Sequence, residues 1–301
     1  MLPAGMVPSA VAERSVRWIH DNLGYFDPFA KSSISQDLRH KALAELVLLC
    51  LLLRRHENFR SLPEIRDVMA FVAGLNENAF FEASLCRWND ALVPVLILAA
   101  TLEAYGLTSE NNRRQMIQRI VRHSNVCIIE RVPYRQLELR HILDAGGFAH
   151  GLPSYRELWS RTLLAHRPNL MFLSDDDVYS ITHALFYVSD FAARSIDFLS
   201  PQEVEHIHEA VTHLLGVYIR RKNWDLAAEL LAAEKCLGRT SRHSVMGWRL
   251  LMEAQQADGR MDGPYLKKLA DNERDAEHLF DACYHTTLVS ALAGVVWSRR
   301  S

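Results

Sequence analysis

The sequence predicts an all-α protein, a single-domain (α/α)6 toroid of six helical hairpins over residues 1–301. Three observations carry this. Helical hydrophobic periodicity runs through almost the whole chain, with no sustained period-two alternation and no Asn-Gly or Asp-Gly turn between β-branched runs. The helical segments pair, and the second member of each pair is the more apolar. Successive pairs recur at roughly 45–50 residues without a shared motif, which reads as divergent hairpins. An open solenoid of hairpins is the rival arrangement.

The elements follow from local signals. The first pair covers 9–24 and 35–54, with Ser9 as a cap and Gly24, then Asp27-Pro28, as the stop. The second covers 62–74 and 88–105, with Pro63 in the first turn and Gly106 at the end. The third, 109–128 and 133–145, is broken at Pro133 and closed by Gly146-Gly147, a loop that also holds His150 and Gly151. The fourth covers 154–165 and 175–194, with Ser154 as a cap and Pro168 between the helices. The fifth runs 200–221 and 223–237, from Ser200-Pro201 to Gly238. The sixth, 241–256 and 275–298, is divided by ADGRMDGPY. Second members such as ALAELVLLCLLL and TTLVSALAGVVW are apolar nearly all round and belong inside. First members such as QEVEHIHEAVTHLLGVYIRRK carry a charged stripe and belong outside.

Size and charge bound the function. A chain of 301 residues buries roughly 75% of its unfolded surface, and 49% apolar composition is that of an ordered protein. Thirty-four basic and 36 acidic side chains give a net charge of −2, which supplies no bulk attraction to nucleic acid or to an anionic membrane. Five scattered cysteines, Cys50, Cys86, Cys127, Cys236 and Cys283, form no CxxC pair and read as reduced thiols of a cytoplasmic protein. The start lacks the pattern of a signal peptide. The longest apolar run, Ala42 to Leu53, is interrupted by Glu45 and is too short for a membrane span.

One segment carries a family resemblance. DACYHTTLVSALAG, preceded by QQADGRMDGPY, resembles the last inner helix and preceding turn of protein prenyltransferase β-subunits and their relatives among terpenoid-cyclase-like toroids. The resemblance spans Gly247 to Leu292. It implies an α/α toroid acting in biosynthesis as a cyclase or transferase, and it puts His285 at a zinc-ligating position. The family's other zinc ligands, an aspartate and a cysteine two residues apart, have no counterpart. The nearest thiol, Cys236 in AAEKCLG, has no matching aspartate. The expectation is therefore a site without metal or other cofactor, zinc being the ion that the resemblance implies.

Candidate site residues come from polar positions on the inner helices. Tyr179, His183, Tyr187 and Asp190 follow an i, i+4, i+8, i+11 spacing that shares one helix face. Asp281 and His285 are i, i+4 neighbours, with Tyr284 beside them. His183 and His285 are the expected acid/base pair, Asp190 and Asp281 their orienting carboxylates, and Tyr179, Tyr187 and Tyr284 the pocket walls. His40, Asp90 and His141 lie on other inner helices and are expected to contact substrate at a common mouth, with Asp144 near them. Helix N-termini converging there favour an anionic group, carboxylate or phosphate, on a small-molecule substrate. Ser174-Asp175-Asp176-Asp177 lacks the spacing of a magnesium–diphosphate motif and reads as a helix start. His206, His208 and His213 read as solvated. No Gly-rich phosphate loop, Gly-x-Ser-x-Gly elbow or His-Glu-x-x-His occurs. The expected activity is acid/base-assisted cyclisation, elimination or group transfer in a central cavity, in specialised metabolism. The alternative is a non-catalytic helical-hairpin protein that holds a peptide or partner protein.

Overall fold

The computed structural model describes residues 7–77, 89–107, 111–123, 125–266 and 275–298. Among them there is no strand. Among the described residues, twelve helices fall in the six predicted pairs of segments: α1 (Pro8–Asp21), α2 (Gln36–Leu53), α3 (Pro63–Asn76), α4 (Asn89–Ala104), α5 (Asn111–His123), α6 (Pro133–Ala145), α7 (Tyr155–Trp159), α8 (Asp175–Val188), α9 (Pro201–Arg221), α10 (Trp224–Cys236), α11 (Arg242–Ala254) and α12 (Ala276–Ser298). A single turn, Glu57–Arg60, joins α2 to α3.

The helices start where the chain supplies oxygen acceptors for the first-turn amides. Ser35 caps α2 by accepting from Leu38. Ser174 with Asp177 and Ser200 with Glu203 form reciprocal capping boxes on α8 and α9. Asn223 and Ser241 cap α10 and α11. Each cap stabilises its helix by about 1 kcal/mol. The Asp175–Asp177 run is thus a helix start, as its spacing implies.

The even-numbered helices touch in cyclic order, α2 to α4 to α6 to α8 to α10 to α12, and α12 packs back on α2. That contact cycle is what a ring requires and what an open solenoid lacks. Outside it, α1 lies along α12, α3 joins α1 to α4, α7 covers α6 and α8, and α9 packs on α10 and α11. The closest crossing is α1 on α12. A Cβ at Gly294 would stand 2.5 Å from the Pro8 carbonyl oxygen and 2.9 Å from the Ala12 Cβ, so only glycine lets the two backbones approach. The turn between α11 and α12 also closes the ring. Gln255 donates to the carbonyls of Val11 and Gly259 and to the Ser15 hydroxyl oxygen, and Trp297 donates to the Leu231 carbonyl at 2.7 Å.

Of the helices, α12 alone among the described residues is long and apolar enough to cross a membrane. Its environment is the protein interior, with Phe280, Tyr284, Leu288, Ala291 and Val295 in the core. The thiols of Cys50, Cys236 and Cys283 are buried and Cys127 is half-buried. Cys86 lies outside the described residues.

Three expectations fail at helix ends. Ser9 does not cap the first helix, which starts at Pro8 behind Val7 with no side-chain cap. The fourth inner helix stops at Val188 instead of reaching 194. Ser189 turns its hydroxyl onto the Leu185 carbonyl, and Asp190, Phe191 and Ala192 then take left-handed backbone conformations, with φ of 51°, 52° and 61°. The fourth outer helix is one short piece, followed by 3-10 turns at Leu163–His166 and Leu170–Phe172.

Candidate functional site

Four carboxylates of the apolar inner helices lie around His183 and His285: Glu45 of α2, Glu138 of α6, and Asp225 and Glu229 of α10; a fifth, Glu234, is buried farther along α10. Asp225 and Glu229 are 3% and 1% exposed. They are i, i+4 neighbours and so lie on one face of α10. Such groups persist in a core only when paired.

The pairing partners come from α6, α8 and α12. His285 Nδ1 stands 2.8 Å from Glu45 Oε2, and its Nε2 stands 3.5 Å from Asp225 Oδ1. His183 Nε2 stands 3.3 Å from Glu229 Oε1. The Tyr179 hydroxyl donates to Asp225 Oδ2 at 2.5 Å, and the Thr182 hydroxyl donates to Glu229 Oε2. Tyr187 donates to Glu138 at 2.9 Å, and Arg135 pairs with the other oxygen of Glu138 at 2.8 Å. Tyrosine rings enclose the histidines. Tyr134, Tyr179 and Tyr187 lie 5.6, 6.2 and 6.0 Å from His183, and Tyr179 lies 6.4 Å from His285. His183 and His285 therefore share a wall, Tyr179, and neighbouring carboxylates. Their side chains are 21% and 26% exposed, so both remain reachable.

The electrostatics follow from the arrangement. Burial pushes the His285 imidazole down, but Asp225 and Glu45 outweigh it and raise its pKa to about 10. Burial lifts the Glu45 carboxyl, and His285 more than offsets that, leaving it below the usual range. Asp225 is pushed up by burial, against the pull of His285, and Glu229 beside it adds to the rise. The Tyr179 hydroxyl is pushed far up by burial and then by Asp225, so it stays protonated and donates to Asp225. The cluster is an acidic environment that keeps a proton on His285.

Two of the expected partners are elsewhere, and one histidine read as solvated is not. Asp190 does not orient His183: the helix has ended, and its left-handed backbone turns the carboxylate to Arg55 at 2.9 Å. Asp281 does not orient His285. It is exposed near the start of α12, and neighbouring helices supply the carboxylates instead. His208 is not solvated; its ring is 14% exposed and faces the buried Glu234 at 3.6 Å. His206 and His213 are exposed as expected.

The remaining residues divide. Tyr187 is in the cluster. Tyr284 adjoins His285 but its ring belongs to the core, stacked on Phe280 at 5.3 Å. His40 is half-buried against Phe29 and is not among the cluster's contacts. His141 is 3% exposed, 5.6 Å from the Tyr187 ring and 3.7 Å from Asp190. Burial drives it down to about 4. Asp144 pairs with His150 at 2.9 Å. Asp90 falls at the start of α4, outside the residues with described side chains. Glu45, Glu138, Asp225 and Glu229 were missing from the sequence expectation, although a carboxylate inside an apolar helix is itself a signal.

Over residues 12–295 the chain matches the family described as a domain of unknown function, DUF6895, and it belongs to that family. No curated protein and no solved structure matches it.

Proposed function

We propose that the protein is a small-molecule enzyme whose chemistry takes place inside the ring, at His183, His285, Asp225 and Glu229. One observation carries the reading: two histidines from different inner helices meet one buried pair of carboxylates behind a wall of tyrosines. A purely apolar core would be more stable without these groups.

His183 is the acid/base group. Its Nε2 faces Glu229 at 3.3 Å, and its side chain is 21% exposed, so a bound substrate can reach the ring. The Glu45–His285–Asp225 unit holds a positive charge that stabilises negative charge developing in the substrate. Tyr134, Tyr179 and Tyr187 bound the space, which suits a neutral or cationic body better than the anionic group favoured by helix ends, because four carboxylates line it. The reaction class is acid/base-assisted cyclisation, elimination or group transfer, in specialised metabolism.

The test is metabolite profiling with purified protein and a His183→Gln variant. The wild type is expected to convert at least one small molecule of a cell extract. The variant should lose that conversion by about 10²–10⁴-fold with its Tm within a few degrees. Identical profiles for wild type, variant and boiled protein would contradict catalysis and favour a binding role.

A further inference from the structure

From the donor geometry we infer that Asp225, Glu229 and His285 form a divalent transition-metal site, with His183 beside the open side of the ion. The inference deepens the reading of this cluster as a working site, but it does not depend on catalysis.

The three side chains offer donor atoms that lie within 4.8 Å of one another. Small side-chain adjustments bring such a set around an ion with ligand bonds of about 2.0–2.2 Å. Each donor is also held from behind. Glu45 engages His285 Nδ1, which leaves Nε2 turned to Asp225. Tyr179 engages Asp225 Oδ2, and Thr182 engages Glu229 Oε2. A carboxylate behind a ligating imidazole and hydroxyl groups behind ligating carboxylates are what orient metal ligands. The second observation is independent of the clustering. Asp225 Oδ1 is fully buried and has no hydrogen-bond partner, although it points at His285 Nε2. Its counter-charge is the His285 imidazolium at 3.5 Å; a divalent ion would displace the proton from His285 Nε2 and meet Asp225 Oδ1 directly.

The donor set differs from the one implied by the prenyltransferase resemblance. Cys236 lies at the opposite end of α10 from Asp225, where it contacts Ser189 and Ala192, so a zinc–thiolate site does not fit. Two carboxylates and one imidazole instead suit Mn²⁺, Fe²⁺, Co²⁺ or Zn²⁺ and leave positions free for water or substrate. His183 Nε2, 3.3 Å from Glu229, is placed to act on whatever occupies them.

The experiment uses chelator-treated full-length protein titrated separately with Mn²⁺ and Zn²⁺, followed by calorimetry, elemental analysis and thermal melting. One equivalent should bind, and Tm should rise by roughly 3–8 °C at a hundredfold excess over Kd. Asp225→Asn and His285→Ala should abolish stoichiometric binding. Glu45→Gln should weaken it about 10–100-fold, as expected for a group behind a ligand. If a ligand variant does not fold, the wild type still decides: Mn²⁺ should broaden the imidazole signals of His285 and His183 before that of exposed His206. Binding that leaves His285 sharp, or that persists in Asp225→Asn, overturns the site. So does the absence of stoichiometric binding by either ion. None of these readouts uses turnover, so a metal-free enzyme and a non-catalytic metal protein remain distinguishable.

Discussion

His285 and His141 are both inner-helix histidines facing carboxylates, yet their environments drive them in opposite directions. His285 meets Glu45 on one nitrogen and Asp225 on the other, and it is pushed up to about 10. His141 meets Asp190 alone, at 3.7 Å, and Asp190 is already held by Arg55. Burial then dominates and pushes His141 down to about 4. What decides the charge of a buried imidazole is thus the number of carboxylates free to answer it. His285 lies in a site that gathers uncompensated negative charge. His141 lies in a network whose charges are spent on each other, beside a left-handed turn.

The comparison breaks most strongly at Arg55. Arg55→Ala strands Asp190, whose side chain is 23% exposed, and should cost about 2–3 kcal/mol, between the exposed and buried limits for an ion pair. Urea denaturation at neutral pH reads that loss. The variant should also raise the pKa of His141, because Asp190 becomes available to it.

The acid limb of stability comes next. His141 titrates near 4 when folded and near about 6.5 when unfolded. Between these values the unfolded chain binds a proton that the folded chain refuses. Stability from this residue is therefore complete above pH 6.5 and falls as the pH drops towards 4, by about 3 kcal/mol in all. His141→Gln should flatten that limb while leaving stability above pH 7 changed by a smaller amount. An unchanged slope would contradict the assignment.

The smallest effect is at the turn. Ala192 has φ of 61°, a conformation that glycine adopts without a Cβ clash. Ala192→Gly should be neutral or stabilising by up to about 1 kcal/mol, whereas the same substitution inside a helix costs about that much. A clear loss of stability would show that the Ala192 methyl contributes packing that outweighs the strain.

These contrasts mark what could be read from the sequence. Most inner-helix ranges are legible to within a residue or two, because caps such as Ser35, Ser174 and Asn223 and apolar runs announce them. The end of α8 is not. Neither glycine nor proline marks it, and only the Ser189 hydroxyl and three left-handed residues stop the helix. His183 and His285 are legible as polar residues in apolar helices. Their partners are not, because i, i+4 spacing points to Asp281 and Asp190, whereas a ring supplies partners from neighbouring helices. The better signal was compositional: Glu45 inside ALAELVLLCLLL, and Asp225 and Glu229 inside WDLAAELLAAEKC, are charges that an apolar helix tolerates only for a reason.

The central claim is that the Asp225–Glu229 pair is kept for work and not for stability. The most direct test is thermal melting of the Asp225→Asn/Glu229→Gln double variant in chelator, beside its turnover on any substrate found. Neutralising two adjacent buried carboxylates relieves like-charge repulsion and desolvation, Tyr179 and Thr182 keep acceptors, and His285 keeps Glu45 as its counter-ion. The expected result is a Tm equal to or above that of the wild type, with His183-dependent turnover lost. A Tm lower by more than about 8 °C, roughly 5 kcal/mol for a chain of this size, with turnover intact, would make the pair a structural network and contradict the account.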